Sequence, residues 1–181
     1  MRKVAIVATL VLLMLPATAA AQEEDSYKRW SISLRLGSFS TSKDLPWVSY
    51  TERVRIGIEF TRYISNRSAM SLTLDAATDA DEYFAFIPMT VTYKVFPWGN
   101  GFSRSDRNTN PPMQPWFGGG IGVYIHEPSW YSNGIVGIGA HAAGGAVIPM
   151  CSFFELNAEL RYAVTNDFRM LTYMAGFGFR F

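Results

Sequence analysis

The side chains with the most evident reactive potential lie late in the chain. His126-Glu127-Pro128-Ser129, followed by Tyr131-Ser132, gathers a base, an acid and hydroxyls in one short stretch. Acyl transfer uses such a set: a hydroxyl attacks, a histidine takes its proton and a carboxylate orients the histidine. The plainer reading places His126 and His141 as polar members of an inward-facing network. Gly137-Ile138-Gly139-Ala140-His141-Ala142 fits a relaxed dinucleotide fingerprint, but that fingerprint needs a strand, a helix start and a later acidic residue. No helical periodicity surrounds it. The spacing of His126, His141 and Cys151 matches no zinc pattern. The reading therefore assigns no catalytic, cofactor-binding or metal-binding residue, and expects no enzyme and no cofactor. Cys151 is the single cysteine, so it forms no internal disulfide, and it reads as a small apolar residue.

A second set of polar residues is organised differently. Arg35, Arg55, Glu59, Asp75, Lys94, Glu155, Glu159, Arg161 and Arg180 each sit in a segment where apolar residues alternate with polar or small ones. Period two is the pattern of a β-strand with distinct faces. If the apolar faces meet lipid, a basic side chain turned the wrong way near mid-membrane costs about 2–4 kcal/mol. Nine such errors would exceed the whole stability of a typical domain, about 5–15 kcal/mol. These nine residues, five basic and four acidic, are thus expected to face inward and to satisfy one another.

The elements that position them can be taken in order. Trp30–Ser38, Arg53–Tyr63, Met70–Asp75, Ile87–Val95, Trp116–His126 and Phe154–Val164 alternate clearly. Ser65-Asn66-Arg67-Ser68 has a tight-turn composition. Residues 135–148 are apolar or small on both faces and also admit a membrane-helix reading. Gly118, Gly120, Gly122, Gly137 and Gly139 share the inner face with Trp116 and Tyr124, leaving room for large neighbours. With Leu171–Phe181 the count is eight. That predicts an all-β fold, an eight-stranded antiparallel up-and-down transmembrane β-barrel, whose interior is just wide enough to be filled by side chains. Gly99–Pro115 fits poorly, because it is a long connection on the side of the tight Ser65 turn. Either that connection is unusual or the strand count is wrong.

The ends of the sequence carry sorting information. Met1-Arg2-Lys3, the apolar run Val4–Leu15 and Ala19-Ala20-Ala21 before Gln22 read as a secretory signal over residues 1–21, cleaved between Ala21 and Gln22, with the barrel domain over 22–181. Loss of Arg2 and Lys3 takes 16 basic residues to 14 against 15 acidic ones. That balance offers no footprint for nucleic acid. Aromatic residues make up 15% of the chain, enough to supply belts at two membrane interfaces.

The final Gly176, Phe179 and Phe181 resemble the C-terminal insertion signal of Gram-negative outer-membrane barrels, with Met174 departing from its usual polar position. Trp116-Phe117-Gly118-Gly119-Gly120-Ile121-Gly122-Val123 and Glu155-Leu156-Asn157-Ala158-Glu159-Leu160-Arg161-Tyr162 resemble strands of the small outer-membrane barrels of the OmpX/OmpA transmembrane type. The resemblance implies a monomer in the cell outer membrane, in contact with membrane lipid and lipopolysaccharide and inserted by the barrel assembly machinery through its last strand. It implies a structural or surface-interaction role, with a narrow OmpW-like channel for small or hydrophobic solutes as the alternative. The lipid A deacylases of similar fold carry His-x-Ser; here Pro128 and Ala143 stand two residues after His126 and His141. A lipid A-modifying acyl hydrolase is therefore the weakest reading.

Overall fold

Alternation over a dozen residues at a time lets each segment extend, but an extended segment leaves its backbone N–H and C=O groups unmet until another strand pairs with it. The computed structural model describes residues 30–41, 53–79, 85–99, 113–127, 135–151, 153–166 and 168–181. It shows eight strands: β1 (Trp30–Thr41), β2 (Arg53–Ser65), β3 (Ser68–Asp79), β4 (Ala85–Val95), β5 (Gln114–Glu127), β6 (Ile135–Pro149), β7 (Phe154–Thr165) and β8 (Arg169–Arg180). Each pairs antiparallel with the next, and β1 closes on β8. The closure is tied at its end by the Trp30 N–H donating to the Phe181 carbonyl at 3.1 Å and the Phe181 N–H donating back at 3.0 Å. No sheet edge is left, which is the condition for strands to cross hydrocarbon.

Residues 135–149, the segment that also admitted a helix, form the longest strand, pairing with β5 from His126↔Ile135 to Gln114↔Val147. The eight strands stand with β4 ending at Val95 and β5 starting at Gln114, so the long connection is real. Its residues 100–112, like the proposed signal with Ala21 and Gln22, lie outside the described residues. The two rims can be named by what they hold. The proximal rim carries Trp30, Phe181 and the turn Ser65–Ser68, where the two serine hydroxyls are 2.7 Å apart and the Arg67 N–H donates to Ser65 Oγ at 3.2 Å. The distal rim carries the Thr165–Phe168 turn, closed by the Thr165 N–H donating to the Phe168 carbonyl at 2.9 Å.

The barrel wall has two chemically opposite faces. Outward side chains are apolar almost throughout, including Leu34, Ile58, Leu74, Phe117, Ile121, Ile138, Leu160 and Phe177, all exposed. Inward positions carry the buried charged and hydroxylic residues. An aqueous solvent would reverse this distribution; a bilayer core matches it. Among the described residues no helix is long and apolar enough to cross a membrane.

Candidate functional site: the ion-paired lumen

The centre of the lumen is built on Arg35 of β1, a buried residue opposite Gly57 on β2 and Gly176 on β8. Both neighbours have to be small. A Cβ at Gly176 would collide with the Leu34 carbonyl and the Arg35 side chain, and one at Gly57 would collide with the Asp75 carboxylate. Given that room, Arg35 Nη1 donates to Glu59 Oε2 at 3.0 Å and to Glu159 Oε2 at 2.8 Å, and its Nη2 lies 3.5 Å from Asp75 Oδ1. One guanidinium thus joins carboxylates from β2, β3 and β7 across the barrel.

The other charges attach to the same frame. Arg55 donates through Nε to Asp75 Oδ2 at 3.1 Å and makes a second, closer contact to that carboxylate, while its Nη1 reaches Thr172 Oγ1 at 2.7 Å. Lys94 Nζ donates to Glu59 Oε1 at 2.7 Å. Arg161 pairs with Glu159 at 2.6 Å and donates to Thr90. Nearer the proximal rim, Glu155 accepts from Arg180, from Ser31 Oγ at 2.6 Å and from the Tyr63 hydroxyl at 3.3 Å. All nine charged residues singled out by alternation are buried and ion-paired inside the barrel. Isolated burial of such charges would be prohibitive, so the network depends on each charge having an opposite charge beside it, even though atoms such as Arg35 Nε and Arg161 Nε make no hydrogen bond.

Apolar clusters bound this layer at both ends. Proximally, Tyr63, Ala69, Phe96, Trp116, Ala143 and Val147 pack together. Phe96 is placed by the turn after β4, in which its N–H donates to the Arg67 carbonyl at 2.8 Å and the Gly99 N–H donates to the Phe96 carbonyl at 3.2 Å. Gly99 takes φ +86, a conformation that favours glycine. Distally, Phe39, Ala77, Phe86, Tyr124, Ala163 and Met170 form a second cluster with Phe168 packed on it. Alternation placed Trp116 and Tyr124 on the inner face but did not announce the clusters they join, because the other aromatic residues were read first as membrane belts. Phase would have found them: Phe39 shares the parity of Arg35, and Phe86 that of Lys94.

The histidines divide. His141 is buried, and its Nε2 lies 2.8 Å from the Thr92 hydroxyl. His126 falls at an inner-face register position of β5 opposite Phe86, but its side chain and residues 128–134 lie outside the described residues. No group of three His, Cys, Asp or Glu side chains is placed to hold a metal among the described residues. Cys151 is exposed in the proximal turn between β6 and β7. Gly176 lines the lumen, whereas Phe179 and Phe181 face outward. Met174 is buried on the inner face.

A closed eight-stranded antiparallel sheet, charged within and apolar without, has the architecture of the small outer-membrane β-barrels. Solved structures share that fold. The neisserial surface protein A (NspA) is similar with a TM-score of 0.62 and 13% identity, over 84% of this chain and 97% of that one. The N-terminal β-barrel domain of Pseudomonas aeruginosa OprF is similar with a TM-score of 0.58 and 11% identity, over 83% and 97%. Ail, the attachment invasion locus protein of Yersinia pestis, is similar with a TM-score of 0.54 and 16% identity, over 84% and 98%. No family model and no curated protein matches the sequence.

Proposed function

We propose that the protein is an integral outer-membrane barrel with a sealed lumen, acting as a structural or surface-interaction protein that holds its distal connections at the cell surface without catalysis. The observation that carries this reading is the filled interior: an ion-paired layer around Arg35 lies between two apolar clusters. A conducting pore needs a continuous polar path, and aromatic clusters at both ends oppose one. Ail, one of the similar structures, is described as an attachment invasion locus protein, and a surface role of that kind is compatible with a sealed anchor. In this reading membrane lipid and lipopolysaccharide surround a monomer. Phe179 and Phe181, outward on the closing strand, present the last strand with Gly176 to the barrel assembly machinery.

The decisive experiment is planar-bilayer conductance of the purified, heat-modifiable barrel. Absence of a steady current supports the sealed reading, and a steady single-channel current would replace it with the narrow-channel one. Comparison of lipid A acyl patterns in cells with and without the protein tests the acyl-hydrolase alternative; an unchanged pattern removes it.

A further inference from the structure

The outer wall carries an exception to its own rule. Three charged residues fall at outward register positions of the eight strands, Glu127 at the distal end of β5 and two that are basic, Arg62 on β2 and Arg169 on β8. The two arginines lie at opposite rims: Arg62 three residues before the proximal strand end at Ser65, Arg169 at the first position of β8 on the distal side. A cation on this wall is tolerable at the interface and not in the hydrocarbon core. Arg62 also has an unusual setting. It lies opposite Trp30 on β1 and Met70 on β3, and Met70 in turn lies opposite Tyr93 on β4. Trp30, Tyr93 and Phe181 are all exposed at this level, an aromatic row of the kind that marks headgroup depth.

The guanidinium carbon of Arg62 stands 5.3 Å from the centroid of the Trp30 ring. No carboxylate pairs with Arg62 among the described residues, in contrast to every arginine of the lumen. A ring contact of this kind uses the π face of Trp30 and consumes none of the N–H donors of the guanidinium's planar fork. A fork of that shape matches the two non-bridging oxygens of a phosphate. Arg67, exposed in the adjoining turn, adds positive charge at the same rim.

We propose that Arg62, stacked on Trp30, is a binding site for the phosphate of a glycerophospholipid in the leaflet at the proximal rim. The proposal rests on the membrane-barrel reading above. It commits to a phospholipid rather than lipid A because Arg62 lies at the rim bearing Trp30, Phe181 and the tight turn, opposite to the rim of the connections assigned to the surface. Charge identifies the occupant: an outward cation with no carboxylate partner among the described residues, at headgroup depth, complements an anionic phosphate, and the surrounding apolar wall accommodates acyl chains.

The test is native mass spectrometry of the folded barrel released from micelles doped with phosphatidylglycerol, with diacylglycerol lacking phosphate, or with lipid A. The wild type should retain phosphatidylglycerol well above diacylglycerol, and R62Q should lower that retention roughly fivefold, the scale of one basic group at an anionic membrane surface. R62K should keep part of it, W30L should lower it by a smaller factor of about two by removing the stacking platform, and R169Q should leave it unchanged. Gel heat-modifiability confirms that each variant is folded. Equal losses in R62Q and R169Q, unchanged retention in folded R62Q, or a loss confined to lipid A would each overturn the site. Failure of the wild type to enter vesicles at all would overturn the membrane reading with it.

Discussion

The two apolar clusters of the lumen meet its charged layer by different means. The distal one is aromatic on aromatic: Phe39 and Phe86 stack with centroids 5.9 Å apart, Phe86 and Tyr124 at 6.0 Å, and Phe168 meets Phe86 and Tyr124 edge-on at 5.6 and 5.9 Å. The proximal one is wired into the charges: Lys94 Nζ lies 4.3 Å from the centroid of the Trp116 ring, and the Arg180 guanidinium 4.9 Å from that of Tyr63. Each of those cations is also held by a carboxylate, Glu59 and Glu155 respectively. The distal cluster meets the charges only through Tyr124, within electrostatic reach of Arg161, Arg55 and Asp75 but hydrogen-bonded to none of them, while the proximal cluster is in direct cation contact with the ion-paired layer. Perturbing charge should be felt proximally, and perturbing the distal cluster should stay local.

The largest effect is expected where the charges converge. Arg35→Met leaves Glu59, Asp75 and Glu159 without their shared partner. Removal of one member of a buried ion pair costs about 3–5 kcal/mol, and three carboxylates facing one another put this substitution at the upper end. Urea unfolding in lipid vesicles, followed by gel mobility, measures it. Adding Glu159→Gln should recover part of the loss, since the two changes share a contact and are not additive. A cost below about 1 kcal/mol would show that the lumen tolerates unpaired acids.

The next comparison sets the clusters against each other directly. Trp116→Ala and Phe86→Ala both delete a buried ring, a loss of about 3–5 kcal/mol in either place from burial and cavity terms. Trp116 carries the cation–π contact with Lys94 in addition, about 1–2 kcal/mol in a desolvated setting. Trp116→Ala should therefore exceed Phe86→Ala by about that margin. The margin should vanish in a Lys94→Met background if the proximal cluster is coupled to charge as described. Equal losses in the native background would make the two clusters equivalent and remove the distinction.

How much of this was readable in the sequence depends on what the residues had to obey. The wall was legible because lipid exposure imposes strict alternation, and a charge on the wrong side is too costly to be common; hence Arg35, Glu59 and Arg161 could be assigned to the interior from parity alone. The pairings were not legible. Arg35 meets Glu159 across the barrel only because β1 and β7 flank β8 and because Gly57 and Gly176 clear its path, and closure geometry is absent from any one-strand pattern. The clusters were hidden for a different reason. An aromatic side chain is at home on either face of a narrow barrel, so residue type does not locate Phe39 or Phe86, and only phase relative to a neighbour of known facing does, as it did for Trp116 and Tyr124 among their glycines. Gly176 shows both effects at once: a residue that reads as part of a terminal sorting pattern is also the space into which Arg35 fits.

The smallest predicted effect tests the proximal wiring most finely. Tyr63 is buried and touches the charges in two ways, as an aromatic face beneath Arg180 and as a hydroxyl donating to Glu155 at 3.3 Å. Tyr63→Phe keeps the ring and deletes only the hydroxyl. Glu155 retains Arg180 and Ser31 as donors, so no carboxylate is stranded, and the expected cost is that of one long hydrogen bond, at most about 1 kcal/mol. Tyr63→Leu removes the π face as well and should cost a further increment of about 1–2 kcal/mol through Arg180. If the ring is what binds the cluster to the charges, the step from Phe to Leu must exceed the step from Tyr to Phe. The reverse order would mean that the hydroxyl carries the coupling and that the stacking of Arg180 on Tyr63 is incidental to it.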